Sequence, residues 1–243
     1  MVSTSGRKLS QILRYATLML ALSLTATPSL AQDFGAQANR DPFLGVNQVV
    51  FGFNEYFDNL VLRPLAVGYS NYVPSPVQTG VTNFFGNIDD LNTMANNLLQ
   101  WKIPEAVSDC GRILINTTVG IGGLIDVASE LGLEKHNEDF GQTLGVWGVE
   151  SGPYVVLPIF GASSTRDALG LFVDSLLNPI YQIEDEAARV TTFGAERLEW
   201  RTGLLPAESL ITGDRYLFLR EASFQQREFE INDGELDDPF GDF

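Results

Sequence analysis

Residues 43–60 carry two different faces on one predicted helix, and few folds can use both. Val46, Val49, Val50, Phe53, Phe57 and Leu60 recur at helical spacing and form one apolar stripe. At about 3.6 residues per turn, Asn47, Phe51, Asn54 and Asp58 share a second face, polar except for its phenylalanine. A helix apolar on one side and lined by amides on another suits the boundary between lipid and a wet cavity.

The helical pattern extends over most of the chain beyond residue 60. Arg63-Pro64 is expected to end the first helix, and residues 69–76 read as a turn-rich connector. A second helix is predicted over 77–100, through Val81, Phe84, Phe85, Ile88, Leu91, Ala95, Leu98 and Leu99. Pro104 suits the first turn of a third, running to Leu114. Residues 116–133 are very apolar but interrupted by Gly120, Gly122, Gly123 and Asp126. That is too broken for a simple membrane span; a re-entrant or interfacial segment, or a buried core helix, fits better. Residues 140–161 mix glycines and prolines with apolar residues, and read as a hairpin or looped insert rather than a helix. Helical patterning returns over 165–177, with surface helices expected at 187–200 and 208–230.

The N-terminus has the form of an export signal. Arg7, Lys8 and Arg14 precede a short apolar run, and Ser29-Leu30-Ala31 offers a cleavage site after Pro28. The expected organisation is a cleaved signal peptide at 1–31, a flexible lead at 32–40, one helical domain at 41–230 and an acidic tail at 231–243. The net charge is −16, and the signal contains basic residues but no acidic ones, so its removal leaves the chain more acidic still. Such a surface repels nucleic acid, and anionic headgroups too unless the charge is segregated. It is segregated: beyond Arg227 come Glu228, Glu230, Asp233, Glu235, Asp237, Asp238 and Asp242 with no basic residue. Phe229, Ile231, Leu236, Phe240 and Phe243 are interleaved with them, which makes the tail a secondary candidate for a docking strip.

Catalytic constellations are not evident. Gly-x-Ser-x-Gly and P-loop spacings do not occur, and Gly120-Ile-Gly122-Gly123 lacks the third glycine of a dinucleotide loop. His136, the sole histidine, sits in a polar run and reads as a solvated loop residue. Cys110 is the only cysteine, so no internal disulfide forms, clustered metal sites are not expected, and no cysteine follows the signal for acylation. Asp89-Asp90 are helix neighbours that point apart, so they form no carboxylate dyad. No cofactor is expected. Asp126, Arg166 and Asp167 stand out as charges beside apolar segments, which need ion-pair partners, water or a headgroup.

Several segments together resemble the MlaA (VacJ) family of outer-membrane phospholipid-transport components. They are Asp41-Pro-Phe-Leu-Gly-Val-Asn47, Phe51-Gly-Phe-Asn54, Leu62-Arg-Pro-Leu-Ala66, Asn83-Phe-Phe-Gly-Asn87, Asn97-Leu-Leu-Gln100 and Asn116-Thr-Thr-Val-Gly120 through Ala128. Phe140-Gly-Gln-Thr-Leu-Gly145 through Gly152-Pro-Tyr154 to Arg166-Asp167 is the strongest block, and Arg220-Glu-Ala-Ser-Phe224 with Asp233-Gly-Glu-Leu236 extends the likeness towards the tail. The resemblance implies a mainly α fold: a flat ring of amphipathic and interfacial helices around an amphipathic channel, with a Gly/Pro-rich hairpin insert. It implies residence on the periplasmic side of the outer membrane, and partners in phospholipid, a trimeric porin and a soluble periplasmic carrier. On that footing Asn47, Phe51, Phe53, Asn54 and Asp58 are candidates for the channel side. Phe140, Gly141, Gly145, Trp147, Gly152 and Tyr154 are candidates for a gating hairpin. The function implied is removal of mislocalised phospholipid from the outer leaflet, without catalysis. A periplasmic adaptor that binds porins without moving lipid is the alternative.

Overall fold

The computed structural model describes residues 41–234; the expected signal peptide, the lead and the tail beyond Gly234 lie outside them. Helix α1 (Leu44–Phe57) does not stop at Arg63-Pro64 as expected. It passes through a π-helical turn, Asp58–Leu62, in which the Arg63 N–H reaches back five residues to the Asp58 carbonyl, and continues as α2 (Arg63–Tyr72). Pro64 therefore falls in the first turn after a shift in hydrogen-bond register, where its missing N–H is tolerated.

Helix α3 (Ser75–Leu99) and helix α4 (Ile103–Thr118) pack along each other. Residues 116–133 are not one element: α4 finishes at Thr118, turns intervene, and a four-residue helix α5 (Val127–Glu130) begins after Asp126, whose carboxylate accepts from the Ser129 N–H. Gly123 explains the break. Its φ is +91°, and a Cβ there would lie 2.9 Å from Asn87 on α3, so only glycine allows this approach.

The expected insert at 140–161 is in part helical. Helix α6 (Phe140–Val146) takes up its first half, and only Tyr154–Leu157 (β1) and Gly161–Ser164 (β2) form a hairpin. They pair antiparallel, Tyr154 opposite Ser164 and Leu157 opposite Gly161. The glycines read as turn signals serve instead for a close helix crossing. α6 packs on α7 (Thr165–Leu177), and a Cβ on Gly170 would lie 2.4 Å from the Gly141 nitrogen. Asp139 starts α6 by accepting from Gln142 N–H, and Ser164 starts α7 by accepting from Asp167 N–H.

The chain continues through α8 (Pro179–Gln182), α9 (Glu186–Gly203), a 3-10 turn (Leu205–Leu210) and α10 (Arg215–Ile231). The helix expected from 208 thus begins later, after a bend with Gly213 at φ +73°. α9 packs on α2, α3 and α8, and α10 packs on α6 and β2, so late elements close onto early ones. The fold is mainly α, as expected.

Its interior is unusual. Among the described residues, polar and charged groups at buried positions outnumber apolar ones by more than two to one. The apolar cluster is small: Tyr154, Val156 and Tyr216, with Leu44, Val50, Phe51, Leu217 and Phe224 around it. Meanwhile Val49, Tyr56, Leu60, Tyr72, Trp101, Val107 and Leu169 are exposed. A water-soluble domain of this size arranges these groups the other way round.

Candidate functional site

Two side-chain amides on α1 hold the hairpin. Asn47 Nδ2 donates to Tyr154 O (3.0 Å) while Asn47 Oδ1 accepts from Val156 N (2.9 Å). Two turns on, Asn54 Nδ2 donates to Leu157 O and Asn54 Oδ1 accepts from Ile159 N, both at 2.9 Å. Each amide binds one residue's carbonyl and the N–H two residues later, the pattern a neighbouring parallel strand would supply. Asn47 also donates to Asp41 Oδ1 (2.8 Å), whose other oxygen accepts from the Tyr216 hydroxyl. Burial and the Asp41 carboxylate push the Tyr216 phenol far up, so it stays a donor. Ile159, a β-branched residue at φ +70°, is held in a costly conformation at the hairpin turn.

The hairpin tip meets α9. Phe160 lies 5.9 Å from Phe193, which in turn lies 6.1 Å from Tyr181 on α8. The Arg197 guanidinium is 5.2 Å from the Phe160 ring and 5.4 Å from Phe193, and bonds Glu196 Oε2 at 3.2 Å. Across from this group on α3 stands Asp89. Its carboxyl is solvent-accessible, yet loss of solvation, and then the Glu196 charge, raises its pKa to about 6. Glu199 adds another carboxylate one turn along α9, accepting from Thr82 Oγ1 of α3 at 2.7 Å.

Buried ion pairs brace this wall. Arg112, 1 % exposed, bonds Asp90 (3.3 Å), Asp126 (3.1 Å), Ser129 (2.9 Å) and the Leu133 carbonyl (2.8 Å). Burial raises the Asp126 pKa, but bonds from Ser129, Asn116 and Arg112 outweigh this and hold the group well below the usual carboxylate range. Arg201 grips Asp58 by two nitrogens, at 2.6 and 2.9 Å. Arg166 pairs with Asp167 at 2.9 Å, and Arg227 bridges Asp139 and Asp167.

The residues singled out from sequence take up distinct places in this arrangement. Asn47, Asn54 and Asp58 turn towards the hairpin and α9, their polar atoms spent on protein partners; Phe51 packs edge-on against Tyr216 at 5.3 Å. Phe53 points outward, stacked on Phe57. Phe140, Gly141 and Gly145 lie on α6, with Trp147 at its C-terminal end against Phe140. Gly152 precedes the hairpin and Tyr154 is in it. Asp126, Arg166 and Asp167 all make ion pairs. His136 is not a solvated loop residue: its Nδ1 lies 2.8 Å from the fully buried Asp109, which also accepts from Asn97. Sequence reasoning missed Phe160, Phe193, Arg197 and Asp89. An Arg one turn before Arg201, on a helix that also carries Glu196 and Glu199, was the available signal.

A helical chain with its ion pairs inside and its apolar side chains outside presents a surface suited to an apolar partner. Among the described residues no helix is long and apolar enough to cross a membrane. The sequence profile of the MlaA lipoprotein family matches residues 39–230, and the chain belongs to that family. It is 36 % identical, over 89 % of both chains, to the intermembrane phospholipid transport system lipoprotein MlaA of Shigella flexneri. The protein of the same name from Haemophilus influenzae is 32 % identical over 90 % of both. A solved structure from work on the maintenance of bacterial outer membrane lipid asymmetry superposes with a TM-score of 0.70 at 35 % identity, covering 79 % of this chain and 99 % of that one.

Proposed function

We propose that this protein takes mislocalised phospholipid from the outer leaflet of the outer membrane and passes it to a soluble periplasmic carrier, so preserving lipid asymmetry. The observation that supports this best is the inversion of the fold: charged and amide groups within, apolar side chains without. The exposed stripe Val49, Phe53 and Tyr56 on α1, continued by Leu60 in the π-turn, would rest among acyl chains, with no span needed. The polar side chains where α9 packs on α3 would meet the headgroup while the tails trail along apolar surface.

In this reading the amide face of α1 serves the channel by fixing the hairpin at its wall. The hairpin tip, with Phe160 against Arg197, is the element that would narrow or open the passage. A trimeric porin is the proposed neighbour in the membrane. The relatives are named lipoproteins, whereas the single cysteine of this chain, Cys110, lies in α4. The apolar exterior is the proposed means of holding this chain to the leaflet. The test is phospholipid exposed on the outer leaflet in a strain deleted for the gene. A rise reversed by the wild-type gene supports transport; no rise, in a strain without a second copy, sinks it in favour of an adaptor role.

A further inference from the structure

Helix α4 turns its charges inward and shows an uncharged face outside. Asp109, Arg112 and Asn116 are buried, while Ile103, Val107, Cys110 and Leu114 recur at helical spacing on the other side, all exposed. Glu105, the helix's remaining charged residue, lies roughly half a turn from this stripe. A strained residue stands at each end of it. Trp101 precedes the helix at φ +64° and is 84 % exposed; Ile121 follows it at φ +56° and is 67 % exposed. Gly122 and Gly123, next in the chain, take the same left-handed region without strain. In the Trp101 turn the Lys102 ammonium reaches inward to Glu138 (3.0 Å) and Asp233, leaving the indole outside. Left-handed backbone is disfavoured for bulky and β-branched residues. Two such side chains, mostly exposed, add little packing to offset that strain, which points to a contact outside the chain.

We propose that α4, with Trp101 and Ile121 at its ends, is an interfacial anchor that lies flat in a phospholipid leaflet and buries both side chains there. Its 16 residues make a strip about 24 Å long. That strip carries no charge, in a chain whose net charge is −16. A protein partner would be met by a polar rim around the apolar centre. Here the apolar surface instead continues past both ends, into exposed Val119 and Leu124 beside Ile121 and into Leu98 and Leu99 beside Trp101. Trp147 extends it further, its indole N–H donating to the Leu99 carbonyl at 3.2 Å. Two tryptophans at one turn suit the headgroup boundary, and a helix with one uncharged face rests along a leaflet without crossing it. The inference rests on the lipid-transport reading above and names the element that holds the chain to its lipid.

The test uses the chain freed of its expected signal peptide, whose apolar run would itself bind lipid. Co-sedimentation with vesicles of equal phosphatidylethanolamine and phosphatidylcholine is measured, with denaturant melts and sedimentation equilibrium in the absence of lipid. Trp101→Gly and Ile121→Gly relieve strain and remove an apolar group, so an anchor predicts opposite signs in binding and stability. The double variant should bind vesicles roughly tenfold more weakly, with a denaturant midpoint at or above that of the wild type. Val107→Glu, a charge in mid-stripe at a position 65 % exposed, should weaken binding by roughly tenfold or more and leave the midpoint unchanged. A midpoint below the wild type in both glycine variants would show that these side chains pack within the fold, and overturns the anchor. Undiminished binding in the double variant and in Val107→Glu also overturns it, and leaves the transport reading standing because the chain still binds lipid. A wild type that self-associates without lipid, and ceases to in these variants, assigns the face to a second copy instead. A wild type that binds no vesicles removes the anchor and the lipid-facing exterior together.

Discussion

Asn47 and Asn54, seven residues apart on α1, meet the hairpin backbone with the same pair of bonds, a carbonyl accepting from Nδ2 and an N–H donating to Oδ1. Because Asn47 is buried, Asn47→Ala leaves the Tyr154 carbonyl, the Val156 N–H and Asp41 without this partner. It should cost about 2–3 kcal/mol of stability. Asn54 is only half-buried, and Asn54→Ala should cost about 1 kcal/mol. Hydrogen exchange separates the two: the Val156 amide should lose protection in the first variant and the Ile159 amide in the second. Exchange unchanged at both would mean that the amides do not hold the hairpin.

Ile159 gives a prediction of opposite sign. A β-branched residue at φ +70° is strained, and glycine relieves that strain. Ile159→Gly should raise stability by about 1 kcal/mol, because a side chain 38 % exposed loses less apolar contact than the strain it relieves. A denaturant midpoint lower than that of the wild type would show that the packing outweighs the strain.

Arg112 is the centre of the buried charge network. Arg112→Met leaves the buried Asp90 with only the Lys135 ammonium at 3.5 Å and removes a hydrogen-bond donor to Asp126, and should destabilise by about 3 kcal/mol. Arg112→Lys should recover little, because an ammonium cannot span Asp90, Asp126 and the Leu133 carbonyl at once. Pairing Arg112→Met with Asp90→Asn should cost less than the sum of the single changes. Additive losses in denaturant melts would show that the two charges are not coupled.

Much of this architecture was legible in sequence, and the parts that were not share physical causes. Helical periodicity located α3 and α7 and separated the two faces of α1, since spacing along a helix is local information. Which face turns inward is not local. Asn47 and Asn54 are bound to residues more than a hundred positions away, so their partner in the hairpin left no mark near them. Glycine misled in one place: Gly141 sits at a helix crossing, yet its symbol in the sequence is that of a turn. The Asp139 and Gln142 spacing at the start of α6 was the counter-signal. Pro64 misled because a π-turn immediately before it absorbs the break. Arg197 and Asp89 come from different helices, and only the packing of α9 on α3 brings them to one space.

The raised pKa of Asp89 predicts a specific pH dependence. Its carboxyl titrates near 3.8 in the unfolded chain and at about 6 in the fold, so between those values the folded state holds the extra proton. Stability contributed by this group therefore falls as pH rises from about 4 to about 6, and is gone above that. Asp89→Asn lacks this fall. Its unfolding free energy should match the wild type near pH 4 and exceed it at pH 7, by less than about 1 kcal/mol because solvent screens the exposed carboxyl. A gap that is equally large at both pH values would assign the effect to something other than titration.

The apolar exterior makes the last prediction, and it distinguishes a lipid-facing surface from an ordinary one. Val49 on α1 is 73 % exposed, and Leu60 in the π-turn that follows it is 61 % exposed. In a water-facing surface, Val49→Glu changes stability by under about 0.5 kcal/mol and has no other consequence. Against acyl chains the same charge costs about 2–3 kcal/mol, which is roughly a thirtyfold to 150-fold loss of partitioning. Val49→Glu and Leu60→Glu should therefore each reduce co-sedimentation with neutral phospholipid vesicles, while the Val156 and Ile159 amides stay protected from exchange. The second measurement matters because it shows that the clamp two residues away is intact and that binding was lost from the surface alone. Undiminished vesicle binding in both variants would mean that this stripe faces another protein instead of lipid.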